Sequence, residues 1–134
     1  MATVLEQMQK YVHDTIKEHK TIIKMSRSDI IADVITKKYH NAAGSIIPSD
    51  YCYNRFNLGL FRKNNVKLFL WDKDEDLYEF VGENADCSDL IYGDSELVNN
   101  DIIGKCKHGK RILYDKYLDY ARQKGKNVVK EYYE

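Results

Sequence analysis

The sequence predicts an α+β protein: three helices and a β-hairpin within residues 1–84, then an acidic-to-basic, mainly helical extension over residues 85–134. Three observations carry this reading. Apolar residues recur at three-and-four spacing near the N-terminus, helix-start signals stand at Ser26 and Pro48, and two β-type runs flank a polar turn at Asp72–Asp76.

The first helix runs from Thr3 to about His19, with Val4, Leu5, Met8, Tyr11, Val12 and Ile16 on one stripe. Thr21 to Met25 is too short for a helix and reads as a linker or short strand. Ser26 can cap a second helix, and Asp29 favours its positive end. That helix reaches about Tyr39 and buries Ile30, Ile31, Val34 and Ile35. Pro48-Ser49-Asp50 opens a third helix, since proline in the first turn loses no hydrogen bond, and Gly59 stops it. Leu58 to Lys67 is a loop; Leu68–Trp71 and Leu77–Val81 are the two strands of the hairpin. Beyond it, Gly82 to Gly93 reads as acidic loop and Ser95 to Ile103 as a short helix. Lys105 to Lys110 is then a basic loop, and a helix fills residues 111–124 on a stripe of Leu113, Tyr117, Tyr120 and Ala121.

The chain has 134 residues, 43% of them hydrophobic and 31% charged, enough for one domain with an appendage. No stretch approaches the roughly 20 apolar residues that cross a bilayer, and the first ten residues lack a signal-peptide pattern. Cys52, Cys87 and Cys106, odd in number and widely spaced, argue against a disulfide framework and for a reducing compartment, a bacterial or infected-cell cytoplasm. Eleven tyrosines against four phenylalanines suit half-buried rims or interfaces. The formal net charge of zero hides an uneven distribution. From Asp72 to Asp101 there are eleven acids and one lysine, whereas residues 105–134 carry nine Lys and Arg against four acids. Such a chain presents either a self-complementary surface or two faces for two partners.

One stretch, Gly44-Ser45-Ile46-Ile47-Pro48-Ser49-Asp50-Tyr51-Cys52-Tyr53-Asn54, resembles an uncharacterised bacterial and phage module with the pattern G-S-[IV]-[IL]-P-S-D-[YF]-C-Y-N. That module is winged-helix-like and occurs alone or beside HNH-type nuclease and restriction-related domains. The resemblance covers about Thr21 to Glu83. It implies a winged helix-turn-helix in which Pro48 to Leu58 enters the major groove of DNA. Ser49, Tyr53, Asn54, Arg55 and Asn57 would then lie on the reading helix, with Asn suited to adenine and Arg to guanine or phosphate. The alternative is that Tyr51, Cys52 and Phe56 pack while Asn54 caps a turn. Arg62, Lys63 and Lys67 would hold phosphates beside the basic cluster Lys105, Lys107, Lys110 and Arg111. That cluster could equally pair with the acidic segment before it.

The hairpin tip opposes this reading, because Asp72, Asp74, Glu75 and Asp76 would repel a phosphate backbone. Those four residues support the competing expectation, a phage-type inhibitor or adaptor whose acidic surface grips a bacterial defence or nucleic-acid protein. A merely solvated acidic surface is the plain alternative. Asp72, Asp74, Asp76 and Glu83 fall at calcium-loop spacing, but Leu77 stands where that loop needs glycine. Cys106 and His108 with distant Cys87 lack zinc spacing. No nucleophile stands beside a base, and no glycine-rich phosphate loop is present. The sequence therefore predicts a binding protein rather than an enzyme, with DNA or a protein as partner and no cofactor or metal.

Overall fold

The computed structural model describes residues 3–56, 66–93, 101–108 and 110–122. In chain order the elements are α1 (Val4–Glu18), β1 (Lys24–Met25), α2 (Arg27–Thr36), β2 (Arg55–Phe56), β3 (Phe69–Asp72), β4 (Leu77–Phe80), β5 (Leu90–Gly93), β6 (Ile102–Lys107), β7 (Lys110–Leu113) and α3 (Asp115–Arg122), with short 3-10 turns at Ala43–Ser45 and Pro48–Tyr51. The described residues form two compact units. One holds 3–52 and 66–83, the other 53–56, 84–93, 101–108 and 110–122.

In the first unit, α1 starts where Thr3 Oγ1 accepts the Glu6 N–H at 3.2 Å. It buries Met8, Tyr11, Val12 and Thr15. Ser26 caps α2 in the same way, accepting from Asp29 at 3.2 Å. The helix ends at Thr36, short of Tyr39, because Lys38 turns to a left-handed φ of 62°. The three strands of this unit pair antiparallel in the order β1-β4-β3. Burial alternates along β3 and β4, so that Phe69, Trp71, Tyr78 and Phe80 share the covered face. Phe69 meets Phe80 edge-on at 5.0 Å between ring centroids, and Tyr11 of α1 meets Phe80 at 5.7 Å. These contacts lay α1 on the sheet.

The predicted third helix is absent, and this corrects the winged-helix assignment. Pro48 opens only a 3-10 turn that ends at Tyr51. Tyr51, Cys52, Tyr53 and Asn54 are then buried one after another, which a one-sided helix cannot achieve. Instead the backbone is extended: the Leu68 N–H donates to Tyr51 O at 2.6 Å, Cys52 bridges Phe69, and the Tyr92 N–H donates to Asn54 O at 2.8 Å. Tyr51, Tyr53 and Phe56 favour an extended chain, and Asn54 weakens a helix interior.

The mainly helical C-terminal extension is also corrected. The second unit is built on a four-stranded sheet in the order β2-β5-β6-β7, with β2 parallel to β5 and the other pairs antiparallel. Leu90–Gly93 is strand rather than acidic loop, and Ile102–Lys107 is strand rather than helix end and basic loop. Lys110–Leu113 is strand where the end of the basic loop and, from Arg111, a helix start were predicted; its burial alternates with period two, and helix begins only at Asp115. Gly104 permits this packing, since a Cβ there would lie 2.9 Å from Leu113 Cα and closer still to the Ile112 backbone. α3 buries Tyr117 and Leu118. Residues 95–100 of the predicted short helix, Gly59 and residues 123–124 lie outside the described residues.

Candidate nucleic-acid interface

Lys105, Lys107 and Lys110, which the sequence places in a loop, are drawn together by the β6–β7 hairpin. Lys107 stands opposite Lys110 in register, and His108 makes the turn with a φ of 50°. All three lysines are exposed. Across the sheet, Leu90, Lys105 and Ile112 form one row of partners, and Arg55, Tyr92 and Ile102 form another. A bulge between Ile91 and Tyr92, with Ile103 and Gly104 both buried, keeps Ile102 and Lys105 on the same outward side.

The opposite side of the sheet is core: Ile91, Ile103, Cys106, Arg111 and Leu113 are buried there. The outward side therefore carries cations interleaved with apolar and aromatic surface. Leu90 is 38% exposed and Ile102 43%, while Tyr92, Ile112 and Arg55 are half-buried. Asp86, Asp89 and Asp101 are exposed. Asp86 is occupied by His108, whose Nδ1 lies 3.0 Å from Asp86 Oδ1.

The remaining predicted site residues are dispersed. Arg111 is 4% exposed and points to the core side of β7, away from its three lysine neighbours. Tyr53 and Asn54 are buried in the second unit, where the Tyr53 hydroxyl accepts the Ala85 N–H at 3.0 Å. Ser49 lies in the 3-10 turn of the first unit and Lys67 just before β3, both half-buried. Asn57, Arg62 and Lys63 lie outside the described residues. With the third helix gone, no single element gathers Ser49, Tyr53, Asn54 and Arg55 onto one exposed face.

The acidic hairpin tip has its own local chemistry. Asp72 Oδ1 accepts the N–H groups of Asp74 and Glu75 at 3.0 and 3.2 Å, and Lys24 Nζ lies 3.4 Å from its other oxygen. The Glu75 N–H, above all, holds the Asp72 carboxyl below its ordinary range. The Trp71 indole donates to Asp76 Oδ1 at 2.9 Å. Two of the four acids predicted to grip a protein thus form and brace the turn itself.

The sequence reading missed Leu90, Tyr92, Ile102 and Ile112. Only Lys105-Cys106-Lys107 alternates polar and apolar in the sequence; Lys110-Arg111-Ile112-Leu113 does not, and the alternation there appears only in the burial of the folded strand.

Residues 3–113 match the family model DUF7225, a domain of unknown function. The chain belongs to this family. The DUF7225 match begins at the α1 cap and ends on the last residue of β7, so it includes every strand of both sheets and stops before α3. The chain is also similar to the uncharacterized protein YnaC of Bacillus subtilis (strain 168), at 30% identity over 112 residues. That likeness takes in 83% of this DUF7225 chain and 39% of the relative, so the chain spans about two-fifths of the relative's length. No solved structure matches it. Among the described residues, no helix is long and apolar enough to cross a membrane.

Proposed function

We propose that this DUF7225 chain binds nucleic acid in single-stranded form, through the outward face of β5, β6 and β7. The observation that carries the reading is the register: Lys105, Lys107 and Lys110 stand on the same side of the sheet as Tyr92, Leu90, Ile102 and Ile112. Lysines at this density match the charge of a phosphate backbone. A tyrosine and aliphatic side chains between them give bases a surface to stack and rest on, which sequence-tolerant single-strand binding requires. A sheet face without a projecting helix suits splayed bases better than the major groove of a duplex. The reading is one of binding, with no covalent step.

The test is fluorescence anisotropy of a labelled single-stranded oligonucleotide and its duplex across a salt series. The single strand is expected to bind more tightly, with affinity falling as salt rises. Lys105→Ala with Lys110→Ala should flatten the log–log salt slope by about 0.7 for each phosphate that is no longer neutralised. Tyr92→Ala should weaken binding by about 1–3 kcal/mol. Absence of salt-dependent binding, or a lysine double variant indistinguishable from the parent, rejects the proposal. Tighter binding of the duplex would keep the face and reject the single-strand preference.

A further inference from the structure

In the first unit, residues from the start of α1, the end of α2 and the chain just after it line a cavity of about 540 Å³, the size of a small-molecule site. Val4, Gln7, Tyr39 and His40 are half-buried in its wall, while Ile35, Lys38 and Asn41 are exposed. The His40 ring is oriented by Gln7, whose Oε1 lies 2.7 Å from Nδ1. Its other nitrogen, Nε2, is buried and has no hydrogen-bond partner among the described residues. A buried polar atom in that state is uncommon in a folded chain.

Lys38 is the second observation. The Lys38 N–H donates to Ile35 O and the Tyr39 N–H to Val34 O, both at 3.0 Å. These two bonds close α2 in a Schellman turn and put Lys38, at a φ of 62°, in the left-handed position that glycine ordinarily fills. Lysine is less stable there than glycine, because its Cβ crowds the carbonyl oxygen that follows. No ion pair offsets this: among the described residues Lys38 makes none, whereas its neighbour Lys37 meets Asp33 at 3.3 Å. A strained residue whose charged end serves no fold contact is a mark of function. The cavity wall contains no acid, so Lys38 gives it a positive bias. Gln7 and Asn41 contribute amides; Val4, Ile35 and the Tyr39 ring contribute apolar surface. We propose that this cavity binds a small organic carboxylate. The carboxylate pairs with Lys38 and Asn41 on the exposed side, and the apolar body lies against Val4, Ile35 and the Tyr39 ring. Binding is non-covalent, and nothing in it depends on the nucleic-acid reading.

The test titrates the isotope-labelled full chain with phenylacetate and follows its backbone amides by two-dimensional NMR, with phenylacetamide as the neutral control. The expected result is saturable shifts at Gln7, Ile35, Lys38, His40 and Asn41. The neutral compound should bind about fivefold more weakly, as loss of one partly exposed charge-assisted contact implies. Lys38→Gln should reduce the affinity for phenylacetate to that for phenylacetamide, and Lys38→Arg should retain the difference. Lys38→Gly should melt no lower than the parent, since the left-handed turn suits glycine, and should still lose the preference for the carboxylate. That variant separates a role in binding from a role in folding. No saturable shifts at millimolar phenylacetate, shifts confined to residues away from the cavity, or a Lys38→Gly protein that keeps the full preference would each overturn the proposal.

Discussion

Tyr11 on α1 donates its hydroxyl to Asp33 on α2 at 2.8 Å, and Tyr39, just past α2, donates to Asp14 on α1 at 2.6 Å. The two rings meet edge-on at 5.4 Å. Each tyrosine thus ties its own helix to a carboxylate of the other. The Asp14 hydrogen bond first, and burial second, push the Tyr39 hydroxyl up to about 12. Tyr11 is also raised, by burial first and then by Asp33. A folded value above the ordinary 10.0 favours the protonated form, so Tyr39 contributes its full stability below pH 10 and loses it as pH climbs toward 12. Melting temperature against pH should fall across that window. Tyr39→Phe should remove part of the fall and lower stability at neutral pH by about 1–2 kcal/mol; an unchanged alkaline profile would refute the assignment. At this scale the sequence revealed a surplus of tyrosines and their character, an apolar ring with a polar tip. It could not reveal that Asp33 and Asp14 are the acceptors, because those pairings depend on how elements pack.

Both helix starts of the first unit and the β3–β4 hairpin were legible in the sequence, because caps and turn residues act over three or four positions, as Thr3, Ser26 and Asp72 show. The segment after Pro48 was not, since proline followed by Ser49 and Asp50 opens a single 3-10 turn as readily as a long helix. What decided it was burial of four consecutive side chains, a property of the folded chain. Residues 110–113 were misread for a related reason: Leu113 also fits the stripe of the helix that follows. The close β6–β7 approach gives this region a sharp test. Gly104→Ala forces a Cβ against the backbone of β7 and should destabilise the protein by about 1–3 kcal/mol in chemical unfolding. A fully tolerated alanine would mean that the two strands are not so closely apposed at this pair.

For the molecule as a whole, the sequence showed an acidic stretch followed by a basic one, but not where the folded chain places each charge. Asp72 and Asp76 are engaged in their turn, Asp86 meets His108, Arg111 is buried, and Lys105, Lys107 and Lys110 are exposed on one face. Charge reversal of Lys105 and Lys110 to Glu should therefore abolish oligonucleotide binding while leaving the melting temperature nearly unchanged, as for exposed positions generally. Neutralising the exposed Asp74 and Glu75 to Asn and Gln should alter neither. Loss of binding in that acid variant as large as in the lysine variant would move the interface away from the sheet face. The parallel strand β2 carries a separate consequence for how the protein is made. Arg55–Phe56 is translated before the β3–β4 hairpin, yet its partner Leu90–Gly93 is translated after it. On the ribosome β2 must wait for the hairpin of the other unit to emerge before its own sheet can begin. No single codon at which the gene is cut can deliver that sheet whole without carrying the hairpin along.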